Sequence, residues 1–340
     1  MIKYYLEKVI SKEDLSFEES FDAMDQIMSG NINNSQLSGF LTALKAKKET
    51  PEEIAGFTKA MRNKSIKVNT STENLIDVCG TGGDYSGTFN ISTATSFVVA
   101  GAGVRVAKHG NRSISSKCGS ADVLNELGIN INLSAEKAGK ALDEIGIAFL
   151  FAPNFHPAMK YAAAVRRELG IKTVFNMLGP LTNPAGTKKQ LIGVFNKDAS
   201  DILSKAAVYL DMEKVCFINT ADKFDEISLT EPTDIFEYSY GKKSRTYQIT
   251  NDTFNYPKIS IDELKGDTPQ HNAEIIMELL KERKKNSAFY VVAANAAMAL
   301  YSADFSDNLA ECKRAAEESI LNGCAFAKLN ELKSFGAKAA

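Results

Sequence analysis

The chain has 340 residues, of which 44% are hydrophobic and 24% charged, and 40 basic against 42 acidic side chains give a formal net charge of −2. This length allows two domains, or one large α/β unit with an appendage, and the composition excludes disordered, collagen-like and coiled-coil classes. The chain shows no overall basic charge of the kind that nucleic-acid-binding proteins carry. It has three histidines, no two of them close in sequence, so a histidine-rich metal site is not expected.

Cysteine usage and hydropathy predict a cytoplasmic protein without a membrane span. The five cysteines are irregularly spaced and include no Cys-x-x-Cys pair, which argues against structural zinc and against a disulfide framework. Acidic residues follow Met1 too early for a signal peptide. The longest apolar run, residues 290–301, is alanine-rich and contains Asn295. It is shorter than the roughly 20 residues of a membrane span and predicts a buried helix.

Residues 1–72 predict a helical domain. Ser16 with Glu19 three positions later is a capping box, and residues 50–53 (TPEE) repeat the pattern with a proline at the first helical position. Apolar residues between these caps recur at helical spacing: Leu37, Phe40, Leu41 and Leu44. The polar residues 69–72 then predict a linker.

From residue 73 onward, short apolar runs alternate with helical segments. Strands are predicted at residues 75–79, 103–107, 147–151, 191–195 and 215–219, with a further pair at 234–238 and 245–249. Helices are predicted at residues 91–100, from a Ser120 cap to Gly128, from a Ser134 cap to Gly146, from Pro157 to Gly170, and after a Ser306 cap. This alternation implies an α/β domain with a mostly parallel central sheet flanked by helices.

Residues 79–93 (CGTGGDYSGTFNIST) carry the densest functional pattern. Four glycines lie between a predicted strand and a predicted helix, where backbone N–H groups can approach a phosphate closely. Asn90, Ser92 and Thr93 add side-chain donors at the helix start. The spacing is neither that of a Walker loop nor that of a dinucleotide fingerprint. The alternative is a plain glycine-rich connection that ends in an N-cap.

Residues 108–120 form a second polar loop between a strand and a helix. Its three cations and four serines suit a ligand with several phosphates, and ligands of open α/β sheets bind at the carboxyl ends of strands. A solvated polar loop is the alternative.

Asp225-Glu226 and Arg166 are further candidate site residues. An adjacent acidic pair is common on surfaces, but it would hold Mg²⁺ if phosphates bound opposite. Arg166 shares a helical face with three apolar residues: Met159, Ala162 and Leu169. A cation on such a face needs an anion, which is either a ligand or an internal carboxylate.

Neither His109 nor His156 is expected to act as the general base that activates a nucleophile. His156 precedes Pro157 and is predicted to cap a helix, while His109 lies in the basic loop and either contacts substrate or makes a loop hydrogen bond. No Ser–His–Asp or Cys–His arrangement can be assembled locally, so nucleophilic catalysis is not assigned.

Taken together, these segments resemble the anthranilate phosphoribosyltransferase family over nearly the whole chain. The matching motifs are residues 80–84 (GTGGD), 90–93 (NIST), 108–113 (KHGNRS), 119–124 (GSADVL), 156–160 (HPAMK), 165–170 (VRRELG) and 176–184 (NMLGPLTNP). The resemblance implies a helical domain, residues 1–72, to which a segment near 172–186 returns, and an α/β domain, residues 73–340, that binds phosphoribosyl pyrophosphate. It also implies homodimers formed through the helical domain.

The implied reaction belongs to tryptophan biosynthesis. Phosphoribosyl pyrophosphate and anthranilate give N-(5′-phosphoribosyl)anthranilate and pyrophosphate, with Mg²⁺ as cofactor. An association with an anthranilate synthase amidotransferase stays open. Two alternatives remain: a pyrimidine nucleoside phosphorylase of the same fold, which fits the Asn-Arg-Ser run and the acidic pair poorly, and a non-catalytic relative that binds nucleic acid.

The resemblance also implies residue roles. The phosphoribosyl pyrophosphate site comprises Gly80, Gly83, Asp84, Thr88, Asn90, Ile91, Ser92, Thr93, Lys108, His109, Gly110, Asn111, Arg112, Ser113, Ile114, Ser115, Ser116 and Ser120. Ser92, Asp225 and Glu226 serve the metal. Asn111 and Arg166 receive anthranilate, and Gly80 touches both substrates. His109 is the only candidate for a catalytic side chain, and it is not required by the expected chemistry.

The chain departs from the family pattern at one place. In the family pattern, Asp-Glu is preceded by His-Gly, two variable residues, a glycine or similar residue, and a hydrophobic residue. This chain has residues 219–224 (NTADKF) at that place. The acidic pair is kept, but the loop that presents it lacks the histidine and the glycines. The shape of this loop and its effect on metal affinity are therefore the open questions of the sequence.

Overall fold

The computed structural model describes residues 2–84, 86–112 and 117–338. Its amino-terminal part consists of four helices: α1 (Ile2–Ile10), α2 (Phe17–Met28), α3 (Asn34–Lys47) and α4 (Pro51–Lys64). Both predicted capping boxes are present, since Ser16 and Thr50 accept from the third N–H of α2 and α4 and the glutamates return the bond. Helix α2 packs on α4, and α1 packs on α3.

Within the described residues, the α/β part is built on one seven-stranded sheet. The strands are β1 (Ile76–Gly80), β2 (Val106–Gly110), β3 (Ile147–Phe151), β4 (Lys189–Gly193), β5 (Lys214–Thr220), β6 (Thr233–Ser239) and β7 (Arg245–Ile249). Their order is β3-β2-β1-β4-β5-β6-β7, with β1 to β5 parallel and β6 and β7 antiparallel. The predicted mostly parallel sheet is confirmed, including its less regular final strand pair.

Helices cover both faces of this sheet, as the strand–helix alternation predicts. They are α5 (Ile91–Gly101), α6 (Ser120–Glu126), α7 (Ala135–Glu144), α8 (Ala152–Phe155), α9 (Lys160–Leu169), α10 (Phe175–Leu178), α11 (Lys197–Ala206), α12 (Pro269–Leu280), α13 (Ser287–Ser302), α14 (Leu309–Leu321) and α15 (Cys324–Lys338). The alanine-rich run is the buried helix α13, which packs on β4 and β5. No helix of the described part has the length and hydropathy to cross a membrane.

Strand alternation assigns the site residues to opposite faces. Val106 packs in the core with α5, whereas Ala107 packs with α7 on the other face. Because successive side chains of a strand point in opposite directions, Lys108 faces α5 and His109 faces away from it. The predicted strand 103–107 is wrong in its start, since Gly103 has φ 94° in the turn after α5 and pairing begins only at Val106.

Two predicted helix caps are wrong. Gly119, not Ser120, is the N-cap of α6, and its N–H donates to the Asp122 carboxylate at 2.9 Å. Asn308, not Ser306, caps α14, because the Asn308 Oδ1 accepts from the N–H of Ala310. In both cases more than one neighbouring residue is suited to the N-cap position, and the geometry of the loop decides which of them occupies it.

The segment after α8 contacts the amino-terminal helices. Helix α9 packs against α2 and α3, and α10 together with the turn Gly179–Thr182 packs against α4. Arg62 of α4 strengthens this contact, since its Nε donates to the carbonyl oxygen of Leu181 at 2.7 Å. The chain between β3 and β4 therefore lies between the four helices and the sheet.

Candidate active site

Three neighbouring strands end beside one another at the carboxyl edge of the sheet. β1 ends at Gly80, β2 at Gly110 and β4 at Gly193, and residues 225–226 follow β5 at the same edge. The strand order reverses between β1 and β4, because β2 and β3 lie to one side of β1 and β5 lies beyond β4. In open α/β sheets, the crevice outside the strand ends at such a reversal binds ligands.

The glycine-rich loop connects β1 to α5 at this reversal. Gly82, Gly83 and Gly87 have φ of 61°, 76° and 68°, a left-handed conformation that side chains disfavour. Helix α5 then begins after Asn90 without a side-chain cap. An uncapped helix start presents unpaired N–H groups and the positive end of the helix dipole, which favour an anion.

The side chain of Asn90 joins the glycine loop to the second polar loop. Its Nδ2 donates to the carbonyl oxygen of Cys118 at 3.2 Å, and its Oδ1 accepts from Nδ2 of Asn272 at 3.0 Å. The alternative of a plain N-cap is therefore wrong for this residue, because its amide bonds to residues 28 and 182 positions away in the chain.

The residues at the start of α5 differ in what they can offer a ligand. Ile91 and Thr93 are buried, and the side chain of Ile91 belongs to the core, so Ile91 can contribute only its backbone. Ser92 is half-buried and its Oγ accepts from Nζ of Lys108 at 3.3 Å. Thr88, earlier in the loop, pairs with Lys265 in an isolated antiparallel bridge.

Asp84, Asp225 and Glu226 form an acidic triad at the strand edge. One carboxylate oxygen from each lies within 4.8 Å of the others. Burial, and then the Asp84 charge, raise the pKa of Asp225, while burial and then the Asp225 charge raise the pKa of Glu226. Oε2 of Glu226 is buried and has no hydrogen-bond partner among the described residues. Three hard oxygen donors and one unpaired carboxylate oxygen fit a divalent cation such as Mg²⁺.

Two glycines allow Asp225 to lie over the strand ends. A Cβ atom at Gly80 would lie 2.5 Å from Oδ2 of Asp225, and one at Gly193 would lie 1.6 Å from its carbonyl oxygen. Oδ2 of Asp225 also accepts from the N–H of Gly82 at 3.1 Å. The acidic triad and the glycine loop are therefore parts of one packed unit.

Lys108 lies behind the glycine loop, within the sheet. Its Nζ donates to the carbonyl oxygen of Val78 at 2.6 Å and to Oγ of Ser92 at 3.3 Å. Burial lowers the pKa of this ammonium, and the nearby carboxylates, beginning with Asp77, act in the opposite direction. Lys108 is thus a buried cation on the same sheet edge as the acidic triad.

The other two cations of the second loop have carboxylate partners. Arg112 donates to Oδ1 of Asp122 at 2.8 Å, and Lys117 pairs with Asp267. The loop closes on itself where Oγ of Ser120 donates to the carbonyl oxygen of Asn111 at 3.1 Å. The four site residues predicted between these positions lie outside the described residues: Ser113, Ile114, Ser115 and Ser116.

Two glycines of these loops stand where a side chain would collide. A Cβ atom at Gly110 would lie 2.4 Å from Oγ of Ser120, and one at Gly83 would lie 3.0 Å from Cε of Lys172. Lys172, between α9 and α10, donates to the carbonyl oxygen of Gly83 and lies 4.2 Å from the ring centroid of Phe195. The chain after α9 therefore reaches the glycine-rich loop.

Arg166 is half-buried on α9, as the helical spacing predicts, while Arg167 is exposed. Its guanidinium lies 5.1 Å from the ring centroid of Phe175, and burial lowers its pKa. Among the described residues no carboxylate pairs with it, so the alternative of an internal salt bridge finds no support there. An arginine in this position can bind an anionic ligand.

His109 and His156 face each other on the other side of β2. Their ring centroids are 5.2 Å apart, and both Nε2 atoms are buried without a partner among the described residues. Burial lowers the pKa of His109 to about 3, with His156 contributing, and lowers the pKa of His156 to about 4. His156 occupies the predicted N-cap position, before the turn Pro157–Met159, but its side chain makes no cap bond.

Comparison with known proteins agrees with this architecture. Residues 3–65 match the helical bundle domain of a glycosyl transferase family, and residues 72–326 match its a/b domain. The anthranilate phosphoribosyltransferase of Pelotomaculum thermopropionicum is 46% identical over 98% of this chain and 96% of its own length. The chain belongs to the anthranilate phosphoribosyltransferase family.

Solved structures of this family superpose on the whole chain. The enzyme from Thermus thermophilus has a TM-score of 0.92 and 37% identity, covering 98% of this chain and 99% of its own. The Saccharomyces cerevisiae enzyme, solved in complex with phosphoribosyl pyrophosphate and Mg, has a TM-score of 0.90 and 28% identity, covering 99% of this chain and 98% of its own.

Two residues of this family member, Gly193 and Lys172, escape sequence reasoning, and a third, Asp84, has a contact that the sequence does not indicate. Gly193 ends a strand, where a glycine can signal a close backbone approach, but nothing local indicates that Asp225 makes it. Lys172 stands in residues 171–175 (IKTVF), which carry no motif. Asp84 is expected at the phosphate loop, and the structure adds it to the acidic triad. Each depends on a neighbour more than 30 positions away in the chain.

Proposed function

We propose that this protein transfers the phosphoribosyl group of phosphoribosyl pyrophosphate to the amine of anthranilate, in tryptophan biosynthesis. The products are N-(5′-phosphoribosyl)anthranilate and pyrophosphate. The observation that carries the proposal is the junction of the glycine-rich loop with the acidic triad, through Gly82 and Asp225, at the switch point of a sheet from this family. A phosphate site beside a cation site suits a pyrophosphate leaving group.

The predicted residues divide into a phosphate part and an anthranilate part. We assign the phosphate part to the glycine-rich loop, the start of α5, Lys108 and the loop that ends at Ser120. Arg166 receives the carboxylate of anthranilate, with Asn111 beside it. The lack of a carboxylate partner for Arg166 among the described residues supports this assignment, since a buried cation needs an anion.

The acidic triad would hold Mg²⁺, and Ser92 is a further oxygen donor of the predicted metal set. When bound, the ion would neutralise negative charge on the pyrophosphate oxygens. The triad fits this role because its members are oxygen ligands and Oε2 of Glu226 is left unpaired.

The chemistry follows from charge development. As pyrophosphate leaves the anomeric carbon, positive charge builds on the ribose ring, as in glycoside cleavage, and the loop N–H groups stabilise the departing oxygens. The aromatic amine is already neutral near pH 7, so its nitrogen can bond to the anomeric carbon without a strong base, and the proton that it then loses can pass to the departing pyrophosphate or to water. His109, held neutral by burial, is not required, so an inactive His109→Ala variant that still bound both substrates would contradict this mechanism.

Orientation of the two substrates supplies the rest of the rate enhancement. Arg166 and Asn111 would align the amine with the anomeric carbon, and well-oriented reactants gain roughly 7–11 kcal/mol at the extreme. Neither residue exchanges a proton in this scheme.

The organisation of the chain is also proposed. We divide it into the helical domain, residues 1–72 with the returning segment near 172–186, and the α/β domain, residues 73–340. The packing of α10 and the turn Gly179–Thr182 on α4 supports this division. Exposed Tyr4 and Ile10 on α1 support homodimers formed through the helical domain, which light scattering would measure. Among the described residues the five cysteines form no disulfide, which supports a reducing cytoplasm.

One assay tests the reaction. The fluorescence of anthranilate should fall only when phosphoribosyl pyrophosphate and Mg²⁺ are both present, and chelation of Mg²⁺ should stop the loss. A pyrimidine nucleoside with inorganic phosphate is the comparison pair. Turnover of that pair without turnover of anthranilate would refute the proposal and favour a nucleoside phosphorylase.

A further inference from the structure

A buried asparagine interrupts the alanine-rich helix α13. Asn295 is 2% exposed, and its neighbours on the helix, residues 291–294 and 296–300, are also buried. An amide in such surroundings is unfavourable unless all of its polar atoms are hydrogen-bonded. An apolar side chain of similar size would suit the packing of this helix better. The packing of the helix therefore does not explain why an asparagine stands at position 295.

The bonds of Asn295 reach the residue that follows the acidic pair. Its Oδ1 accepts from the N–H of Ile227 at 3.1 Å, and its Nδ2 donates to the carbonyl oxygen of Ile227 at 2.9 Å. The second hydrogen of Nδ2 points to its own helix, where it reaches the carbonyl oxygen of Val291 at 2.9 Å. One side chain thus satisfies both backbone groups of the residue directly after Glu226.

A second buried asparagine bonds to the loop that precedes Asp225-Glu226. Asn219, at the end of β5, donates to the carbonyl oxygen of Val194 at 2.7 Å and accepts from the N–H of Asp222 at 2.9 Å. It stands where the family pattern has a histidine. Its neighbour Thr220, where the pattern has a glycine, donates to the carbonyl oxygen of Glu226 at 2.7 Å. The atypical loop is therefore anchored by its own side chains.

We propose that Asn219 and Asn295 are positioning residues that fix the backbone on both sides of Asp225-Glu226 and so orient the carboxylates for the divalent cation. This inference rests on the proposed function. Carboxylates held this close repel one another, and fixed backbone flanks, together with the bond from Gly82 to Asp225, keep them convergent before the cation arrives. Groups that orient metal ligands typically change metal affinity by about 10- to 100-fold when they are removed.

Neither asparagine touches substrate in this account. Both side chains are buried, at 0% and 2% exposure, and their partners are backbone groups of β4, the loop and α13. Removing either side chain should therefore weaken binding of the cation and of the pyrophosphate group. Recognition of anthranilate by Arg166 should not change.

The test compares Asn295→Ala with Ser302→Ala. Ser302 is also buried on α13, where its Oγ donates to the Met298 carbonyl oxygen one turn earlier and its side chain hydrogen-bonds with the Cys216 thiol. It therefore controls for loss of a buried polar group from the same helix. Two quantities are measured: the Mg²⁺ concentration for half-maximal activity, and calorimetric binding of Mg²⁺ with phosphoribosyl pyrophosphate in the absence of anthranilate.

We expect Asn295→Ala to need about 10-fold more Mg²⁺ in both measurements, with the KM for anthranilate at saturating Mg²⁺ unchanged. Ser302→Ala should match the wild type. An unchanged Mg²⁺ requirement, or an equal rise in the anthranilate KM, overturns the positioning role. If Asn295→Ala does not fold, Asn219→Ala carries the same test with the same expectation.

Failure of the proposed function is distinguishable from failure of this inference. A wild-type protein that binds Mg²⁺ with phosphoribosyl pyrophosphate but consumes no anthranilate overturns the reaction, and the calorimetric comparison still decides the role of the asparagines. A wild-type protein that is active while both asparagine variants keep its Mg²⁺ requirement overturns the positioning role alone.

Discussion

Acidification should destabilise this protein through two buried histidines. His109 and His156 lie against each other behind β2, with folded pKa values of about 3 and about 4. Burial is the main cause for both. For His109 the second imidazole adds to it, while a hydrogen bond with the backbone of Gly179 acts in the opposite direction. Both imidazoles are therefore neutral in the folded protein near pH 7.

The size of the effect follows from proton linkage. In the unfolded chain each imidazole binds a proton with a pKa of about 6.5, so acid favours the unfolded state once the pH falls below that value. At about pH 5 the unfolded chain has taken up nearly one proton per histidine and the folded chain almost none. Each histidine then lowers the free energy of unfolding by about 2 kcal/mol relative to about pH 8.

Urea unfolding at the two pH values would measure this difference. Circular dichroism is the suitable signal, since the chain has no tryptophan. The decrease in the free energy of unfolding between about pH 8 and 5 should be smaller by about 2 kcal/mol in His156→Gln than in the wild type. Comparison with wild type at each pH cancels the titration of groups elsewhere in the chain. His271→Gln, at an exposed position on α12, is the matched control and should leave the loss unchanged.

The result that refutes this reasoning is a pH-dependent loss that is the same in His156→Gln, His109→Gln and wild type. Such a result would mean that the imidazoles are protonated in the folded state, or that they are accessible to water. The assignment of His109 as a neutral side chain without a part in proton transfer would then fail with it.

Three further predictions concern the site. Arg166→Ala should raise the KM for anthranilate by about 10- to 100-fold and that for phosphoribosyl pyrophosphate far less, as initial rates would show; equal changes contradict the assignment. Gly193→Ala should lower stability by about 1–3 kcal/mol or more, because the new Cβ would lie 1.6 Å from the carbonyl oxygen of Asp225; a denaturant curve like that of wild type would argue against this contact. Glu226→Gln should raise the Mg²⁺ concentration for half-maximal activity by about 10-fold or more, measured by titration at saturating substrates, and an unchanged titration would remove Glu226 from the metal site.

Local patterns of the sequence predict most of the architecture. The capping boxes at Ser16 and Thr50 are present, and residues 147–151 form a strand with the predicted bounds. Such signals succeed because they depend on residues within one turn or one strand. The strand start near Gly103 and the caps at Ser120 and Ser306 are wrong for the complementary reason, since the surrounding packing selects among several suitable residues.

Contacts across the sheet are what the sequence does not reveal. The cations of residues 108–120 predict a phosphate loop, yet Arg112 and Lys117 form ion pairs with Asp122 and Asp267, and the buried Lys108 bonds to the carbonyl oxygen of Val78. A count of charges in a loop does not show which of them are already neutralised by residues elsewhere. Gly193 and Asn295 act through Asp225 and Ile227, which lie 32 and 68 positions away.

These contacts determine how charge is balanced at the site. Phosphoribosyl pyrophosphate is strongly anionic, and the glycine-rich loop shares its edge with three carboxylates, while two of the nearby loop cations have carboxylate partners. Without a divalent cation, the acidic triad would repel the ligand that the α5 start attracts. The triad and the loop are joined through the bond from Gly82 to Asp225, so neither can move away from the other. We therefore expect the site to bind the anion well only when a divalent cation is present. On the proposed positioning role, the two asparagines that hold the triad then contribute to phosphate recognition together with the loop.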